Sequence, residues 1–385
     1  MPGKIRYLGS AVVLMLLVGT ASSIVWAETA RNIIFMVPDG MGLANVTAAR
    51  TFKNGLDGDS LHFETLSVIG YQRTFSRNSA VTDSAAAASA WACGEKFNNG
   101  EICMHVEDGS HPKSILELAK ERRKATGLVA TSTITHATPA AFGAHVTDRN
   151  CENEIARQYI QGTQPDVILG GGKGKFDSTI PDKCGTSGDF ISEAQAHGYA
   201  IAFTKAEMDA AVSAGGIKLL GLFNTSGMTP EYLRLPGTTE PSLPEMASAA
   251  LKILEKDPQG FLLVIEGSQI DWANHANDFE YMVEELLAFD DAVQVVLDWI
   301  HEKSSRTKNT LIIVIPDHET GGFAINGLPK DLSVKEDLDS IKTGWASKEH
   351  TGTDTLIWSR GPGSKSLGRP IDNTGVYDAI LKVLK

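Results

Sequence analysis

The chain has 385 residues, 42% hydrophobic, 21% charged and 7% aromatic, with 37 Gly and 15 Pro. That length supports a large buried core, and the composition excludes a disordered, collagen-like or coiled-coil protein. The formal net charge of −12 argues against nucleic acid or an anionic membrane as a partner.

The first 27 residues, MPGKIRYLGSAVVLMLLVGTASSIVWA, carry a basic start (Lys4, Arg6), an apolar stretch from Leu8 to Val18, and Val25-Trp26-Ala27 as a cleavage site. This reads as a secretory signal peptide over 1–27, with an apolar stretch short for a bilayer span. The expected destination is the periplasm or the medium. The remaining chain, 28–385, holds 33 basic against 47 acidic side chains, a net of −14. Such a chain repels anionic substrates unless metal ions or an arginine reverse the field locally. Four cysteines in an exported chain predict two disulfides rather than a metal or redox site. Cys93–Cys103 with Cys151–Cys184 is favoured among three connectivities because each pair closes a local loop.

Apolar, β-branched runs follow at 32–38, 126–132, 166–171, 261–267 and 310–317, and helical patterns at 84–92, 114–123, 151–160, 245–256, 278–302 and 374–384. Continuous apolar runs suit parallel strands covered on both faces, and their alternation with helices predicts an α/β, mostly parallel central sheet with helices on both sides. A single domain over 28–385 is expected, with 172–242 and 324–348 as surface insertions.

In an open α/β sheet the ligand site lies beyond the carboxyl ends of the strands. The residues there are acidic or histidine. Asp39 follows the first run; Glu266 ends the fourth, with Asp271 and His275 beyond it; Asp317 and His318 end the fifth. Each alone reads as a turn or cap residue, but three strand ends share the chemistry. Asp271 and His275 are four apart and on a helix would grip one ion from one face. His350, in EHTGTD, offers another imidazole. Carboxylates and imidazoles without a nearby thiolate suit zinc in a catalytic setting. Ser84 opens the alanine-rich run of TDSAAAASAWACG, so its hydroxyl sits at a helix N-terminus that favours negative charge. Asp83 and Ser84 also read as ordinary N-caps. A zinc ion beside Ser84 would supply the alkoxide without a histidine base.

With PDGMG, TDSAAAASAWACG, HATPAAFGAHVTDR, EGSQIDWANHAN, PDHETGG and EHTGTD in this order, the sequence resembles the bacterial alkaline phosphatases. The resemblance implies Ser84 as the nucleophile that becomes phosphorylated, and Arg149 as a fork on two phosphate oxygens. It implies one zinc on Asp271, His275 and His350 and a second on Asp39, Asp317 and His318. Asp39 would also bridge to a magnesium site completed by Thr138 and Glu266. Asp83 would orient Arg149. His136 and Trp272 stand where the best-known enterobacterial pattern has Asp and Lys. His136 would approach the third metal, and Trp272 would leave product phosphate less tightly held. The resemblance further implies a homodimer, phosphate monoesters of broad leaving group as substrates, and an alkaline optimum. The alternatives are a phosphodiesterase of the same superfamily and a metal-dependent phosphate-binding protein without turnover.

Overall fold

The computed structural model describes residues 29–327 and 342–384, together with Gly3. The signal-peptide reading of 1–27 and the middle of the 324–348 insertion lie outside the described residues. Ten strands form one sheet. Numbered in chain order, they are β1 (Asn32–Pro38), β2 (Val68–Arg73), β3 (Ala125–Thr133), β4 (Val167–Gly171), β5 (Ala200–Ala202), β6 (Leu219–Leu222), β7 (Phe261–Gly267), β8 (Thr310–Val314), β9 (Thr355–Arg360) and β10 (Pro370–Asp372). Their order across the sheet is β10-β2-β9-β8-β1-β7-β3-β4-β6-β5. All neighbours run parallel except β9, which is antiparallel to both β8 and β2.

The central strands are buried and largely apolar because both faces are covered, and alternate residues enter different cores. Ile33, Phe35 and Val37 of β1 face one side, packing with helices α2 (Ser84–Cys93), α3 (Ile115–Glu121), α4 (Ala137–Gly143) and α5 (Glu152–Gln158). Ile34 and Met36 face the other, against α1 (Leu43–Asn54), α6 (Leu243–Leu254) and α8 (Phe279–His301). A short helix, α7 (Gln269–Ala276), lies between those last two. Phe35 meets Trp91 of α2 edge-on at 5.2 Å and Phe142 of α4 at 5.5 Å. These contacts hold α2 and α4 against β1, and their starts, at Ser84 and His136, come to the end of the strand where Asp39 emerges.

Two expectations change. The stretch 172–242 is not wholly a surface insertion, since its segments Ala200–Ala202 and Leu219–Leu222 extend the sheet as β5 and β6. The last run also ends early: β8 stops at Val314, three residues before Asp317. Pro316 has no N–H for the ladder, and its carbonyl accepts the Gln72 amide and the Thr355 hydroxyl instead.

Loop 223–242 is fastened over the ends of β4 and β6 by α8. Glu285, 3% exposed, accepts the backbone N–H of Glu231 at 2.7 Å. Tyr281 packs against Tyr232, the rings tilted by 41° with centres 4.9 Å apart. Burial pushes the Glu285 carboxyl up to about 8. A carboxyl raised on folding stabilises most when protonated in both states, and that contribution is lost as pH rises through the folded value. The loss is on the order of a few kcal/mol, at about 1.4 kcal/mol per unit. Glu285→Gln, whose amide oxygen still accepts from Glu231, is therefore expected to match the parent in Tm near pH 4 and exceed it by several degrees above pH 9. Parallel Tm–pH curves would refute this account of Glu285.

Candidate active site and metal centre

The first turn of α2 is built by Asp83, which is both cap and tether. Its Oδ1 accepts the Ala86 N–H at 2.9 Å, while its Oδ2 takes Arg149 Nη1 at 3.0 Å and the Gly100 N–H at 2.9 Å. One carboxylate thus both caps the helix and contacts Arg149. Ser84, 2% exposed, is the first residue of the helix, and its Oγ lies 3.2 Å from His318 Nε2. Arg149 Nη2 lies 3.1 Å from His136 Nε2, and His136 stands edge-on to Trp272 with ring centres 6.2 Å apart. The Trp272 indole leans on the backbone of Gly227, where a Cβ would stand 2.6 Å from the ring.

Asp271 and His275 share one face of α7, with Asp271 Oδ2 3.3 Å from His275 Nε2. His350 Nε2 is 3.1 Å from His275 Nε2 and 3.5 Å from Asp271 Oδ1. The Nδ1 atoms of both histidines face carbonyl oxygens, of Lys348 for His275 and of Thr82 for His350. That fixes the tautomer: each Nδ1 donates, and two Nε2 lone pairs converge with a carboxylate on one point. Asp39, Asp271 and His318 form a second close group, and Asp39, His136 and Glu266 a third. Asp317 reaches His318, its Oδ2 being 3.1 Å from Nε2, while its Oδ1 accepts the N–H groups of Gly40 and His318. Thr138 lies at the start of α4, its hydroxyl buried. Gly40, at φ +70°, lets the chain turn against α7, since a Cβ there would stand 2.8 Å from Asp271 Cα.

The electrostatics call for cations. Both oxygens of Asp39 and of Glu266, Asp317 Oδ2, Thr138 Oγ1 and His136 Nδ1 are buried without a hydrogen-bond partner, a set far too costly to leave uncompensated. Burial, and then the carboxylates of Asp317, Asp271 and Glu266, push Asp39 well above the ordinary carboxyl range. Burial raises Glu266 to about 7. Asp317 and Asp271 are buried too, but the imidazoles beside them hold both below that range. The bond to Asp271 lifts His275 to about 9. Burial and then the Arg149 guanidinium lower His136 to about 4, leaving it neutral. Oxygen and imidazole donors converging without thiolate fit zinc in the first two groups, and the oxygen-rich third, with Thr138 beside it, fits magnesium.

Sequence reasoning did not single out Thr320. Its hydroxyl donates to Asp271 Oδ1 at 2.6 Å and lies 3.2 Å from His318 Nδ1. It therefore takes the His318 Nδ1 proton and turns Nε2 toward Ser84 and Asp39. Its one signal was its place two residues after His318 in PDHETGG.

An α/β sheet whose strand ends carry buried carboxylates and imidazoles around a serine and an arginine defines a metal-dependent hydrolase. Comparison narrows that class. The family model described as alkaline phosphatase matches residues 30–334. Alkaline phosphatase 3 of Bacillus subtilis is 32% identical, the alignment covering 92% of this chain and 89% of that one. Streptomycin-6-phosphate phosphatase of Streptomyces griseus is 32% identical over 98% of this chain and 96% of its own length. The structure of the alkaline phosphatase from the Antarctic bacterium TAB5 matches with a TM-score of 0.78 and 32% identity, covering 93% of this chain and 98% of that one. Two variants of the TAB5 enzyme, with a histidine replaced by Asp or Glu, have Mg bound in a site designated M3. The chain belongs to the alkaline phosphatase family and is a phosphoric monoester hydrolase.

Proposed function

We propose that the protein is an exported phosphomonoesterase that hydrolyses a broad range of phosphate monoesters through a phosphoserine at Ser84, with two zinc ions and one magnesium and an alkaline optimum. The observation that carries this is Ser84 itself, a hydroxyl at a helix start facing His318 Nε2 at 3.2 Å, with Asp83 and Arg149 alongside.

Asp271, His275 and His350 would hold one zinc, and Asp39, Asp317 and His318 the other, with Asp271 near enough to serve both groups. Asp39, Glu266 and Thr138 would hold magnesium, with His136 beside them and its Nε2 accepting from Arg149. Bound there, the ions supply Lewis acidity for the Ser84 oxygen and for the leaving and attacking oxygens, and a positive field for the phosphate. Ser84 Oγ attacks phosphorus in line as the ester P–O bond breaks, and the proton that serine loses is matched by the one the departing alcohol oxygen takes up; water then attacks phosphorus, the Ser84 Oγ–P bond breaks with a proton from that water returning to Oγ, and phosphate is released. Two inversions give net retention at phosphorus. Arg149, steered by Asp83, grips two non-bridging oxygens throughout. Trp272, in place of a cation, leaves product phosphate less tightly held. No side chain in this scheme reaches far past the phosphoryl group, which supports breadth of substrate.

Export is supported by the leader at 1–27 and by the disulfides Cys93–Cys103 and Cys151–Cys184, the pairing favoured from loop closure. No described helix is long and apolar enough to cross a membrane. A single domain over 28–385 and a homodimer complete the reading. Ile69, Tyr71 and Phe75, all exposed and alternating along and just past β2, offer a face for the second copy.

The test is hydrolysis of p-nitrophenyl phosphate at alkaline pH with zinc and magnesium, beside bis(p-nitrophenyl) phosphate and a chelator control. Rapid, chelator-sensitive cleavage of the monoester with little of the diester is expected. Preference for the diester would move the reading to a phosphodiesterase, and no turnover of either would leave a phosphate-binding protein.

A further inference from the structure

We infer that the hairpin over residues 177–189 is a clip that positions Arg149, making Lys183, Asp148 and the Cys151–Cys184 disulfide positioning groups for phosphate binding. The inference rests on the reading of Arg149 as the phosphate-binding fork. Arg149 sits in the turn that joins α4 to α5. Its guanidinium is anchored by Asp83 and His136, and its backbone N–H donates to Gly100 O at 2.8 Å. The rest of the turn is held from the other side by the hairpin. Asp148, one residue before Arg149, accepts from Asn150 N and Nδ2 at 2.9 Å through Oδ1 and pairs with Lys183 Nζ through Oδ2. Cys151, two residues after Arg149, is fully buried and bonded to the exposed Cys184.

The next residues along α5 are tied to the same hairpin. Asn153 Nδ2 donates to Ile180 O at 3.1 Å and Thr186 O at 2.9 Å. The Glu154 N–H donates to Asp182 Oδ2 at 2.9 Å, and Thr186 Oγ1 donates to Glu154 Oε2 at 2.7 Å. The hairpin, by contrast, has no core of its own: Asp177 pairs with Asp189 and Ser178 with Gly188 across it, and Asp182 closes its tip by donating its N–H to Thr186 O at 2.9 Å and accepting the Thr186 N–H at 3.0 Å through Oδ1. None of residues 177–189 is buried, and Ile180 is 76% exposed. A segment without a core, bonded by a disulfide, an ion pair and four hydrogen bonds to residues 148–154, acts on that stretch. Holding the backbone on both sides of Arg149 removes conformers that phosphate would otherwise have to order on binding.

The test uses inorganic phosphate as competitive inhibitor of p-nitrophenyl phosphate hydrolysis by the full metal-loaded enzyme. Removing a disulfide also lowers Tm, so stability does not discriminate, and the readout is the inhibition constant in two backgrounds. Lys183→Ala, an exposed change that leaves the disulfide in place, is expected to raise the constant about 2-fold, and Cys151→Ser with Cys184→Ser about 5- to 10-fold, with KM rising in step and kcat nearly constant. In an Arg149→Ala background the same changes should leave the constant unaltered, because what they position is gone. An unchanged constant in both variants, or an equal rise with and without Arg149, would overturn the clip. Should Arg149→Ala alone leave phosphate inhibition unchanged, the reading of Arg149 fails and the clip with it, an outcome visible in that single variant.

Discussion

Ser84→Ala is expected to lower kcat for p-nitrophenyl phosphate by about 10³-fold or more while metal content and Tm stay near those of the parent. The size follows from what the hydroxyl does. With Oγ absent no covalent phosphoenzyme forms, and hydrolysis must proceed by direct attack of water on a phosphate held by Arg149. The residue's surroundings make the variant clean. Asp83 and not Ser84 caps α2, through the Ala86 N–H, so the helix start survives. The rest of α2 is buried and mostly alanine, with Ser89, Trp91 and Cys93, and a methyl group fits there. The lost contact, Oγ to His318 Nε2, leaves a nitrogen that would still have a metal to bind under the proposed two-zinc reading. If Ser84 were only the first residue of a capped helix, turnover would be unaffected. Acid-quenching the parent during turnover should trap phosphate on protein, and Ser84→Ala should trap none. Trapping that persists in the variant would place the nucleophile elsewhere.

The chemistry of this site was legible in the sequence because it sits where periodicity runs out. NIIFMVP, FLLVIEG and TLIIV each announce a buried parallel strand, and a carboxylate or imidazole after such a run is out of character with it. The pair Asp271 and His275 was legible for the same reason, four residues spanning one helical turn. Thr320 was not, because its role depends on two partners 49 residues back and two residues back in the chain, and nothing local marks a threonine as the orienter of a histidine. The short strands β5 and β6 at one side of the sheet escaped because three and four residues are too few to display a period. Asp317 and His318 were placed at the end of a strand that Pro316 had already closed. The 177–189 hairpin carries no motif, since the disulfide and side-chain bonds that tie it to α5 join stretches distant in the chain.

Stripping the metals is expected to abolish turnover and to lower Tm by about 10 °C or more, since a tight site at a thousandfold excess over Kd contributes about 4 kcal/mol. The sign of the pH dependence without metals follows from the buried carboxyls. Burial and the neighbouring carboxylates raise Asp39, and burial lifts Glu266 to about 7. A group raised in the folded state lends stability that is complete below its unfolded value and is lost as pH rises through the folded one. The chelated protein should therefore lose Tm steadily from about pH 4 through pH 7 and beyond, whereas the metal-loaded protein, whose carboxylates are ionised and paired, should hold its Tm toward alkaline pH. Asp39→Asn separates the two states. It removes a buried charge that the chelated protein cannot compensate, so chelated Asp39→Asn should melt above the chelated parent at pH 9. It also removes a ligand from two metal groups, so in excess zinc and magnesium the order should reverse. Thermal melts of both proteins with and without chelator at pH 5 and pH 9 decide the matter. If Asp39→Asn melts below the parent in all four conditions, the Asp39 carboxylate is held by the fold itself and not by cations.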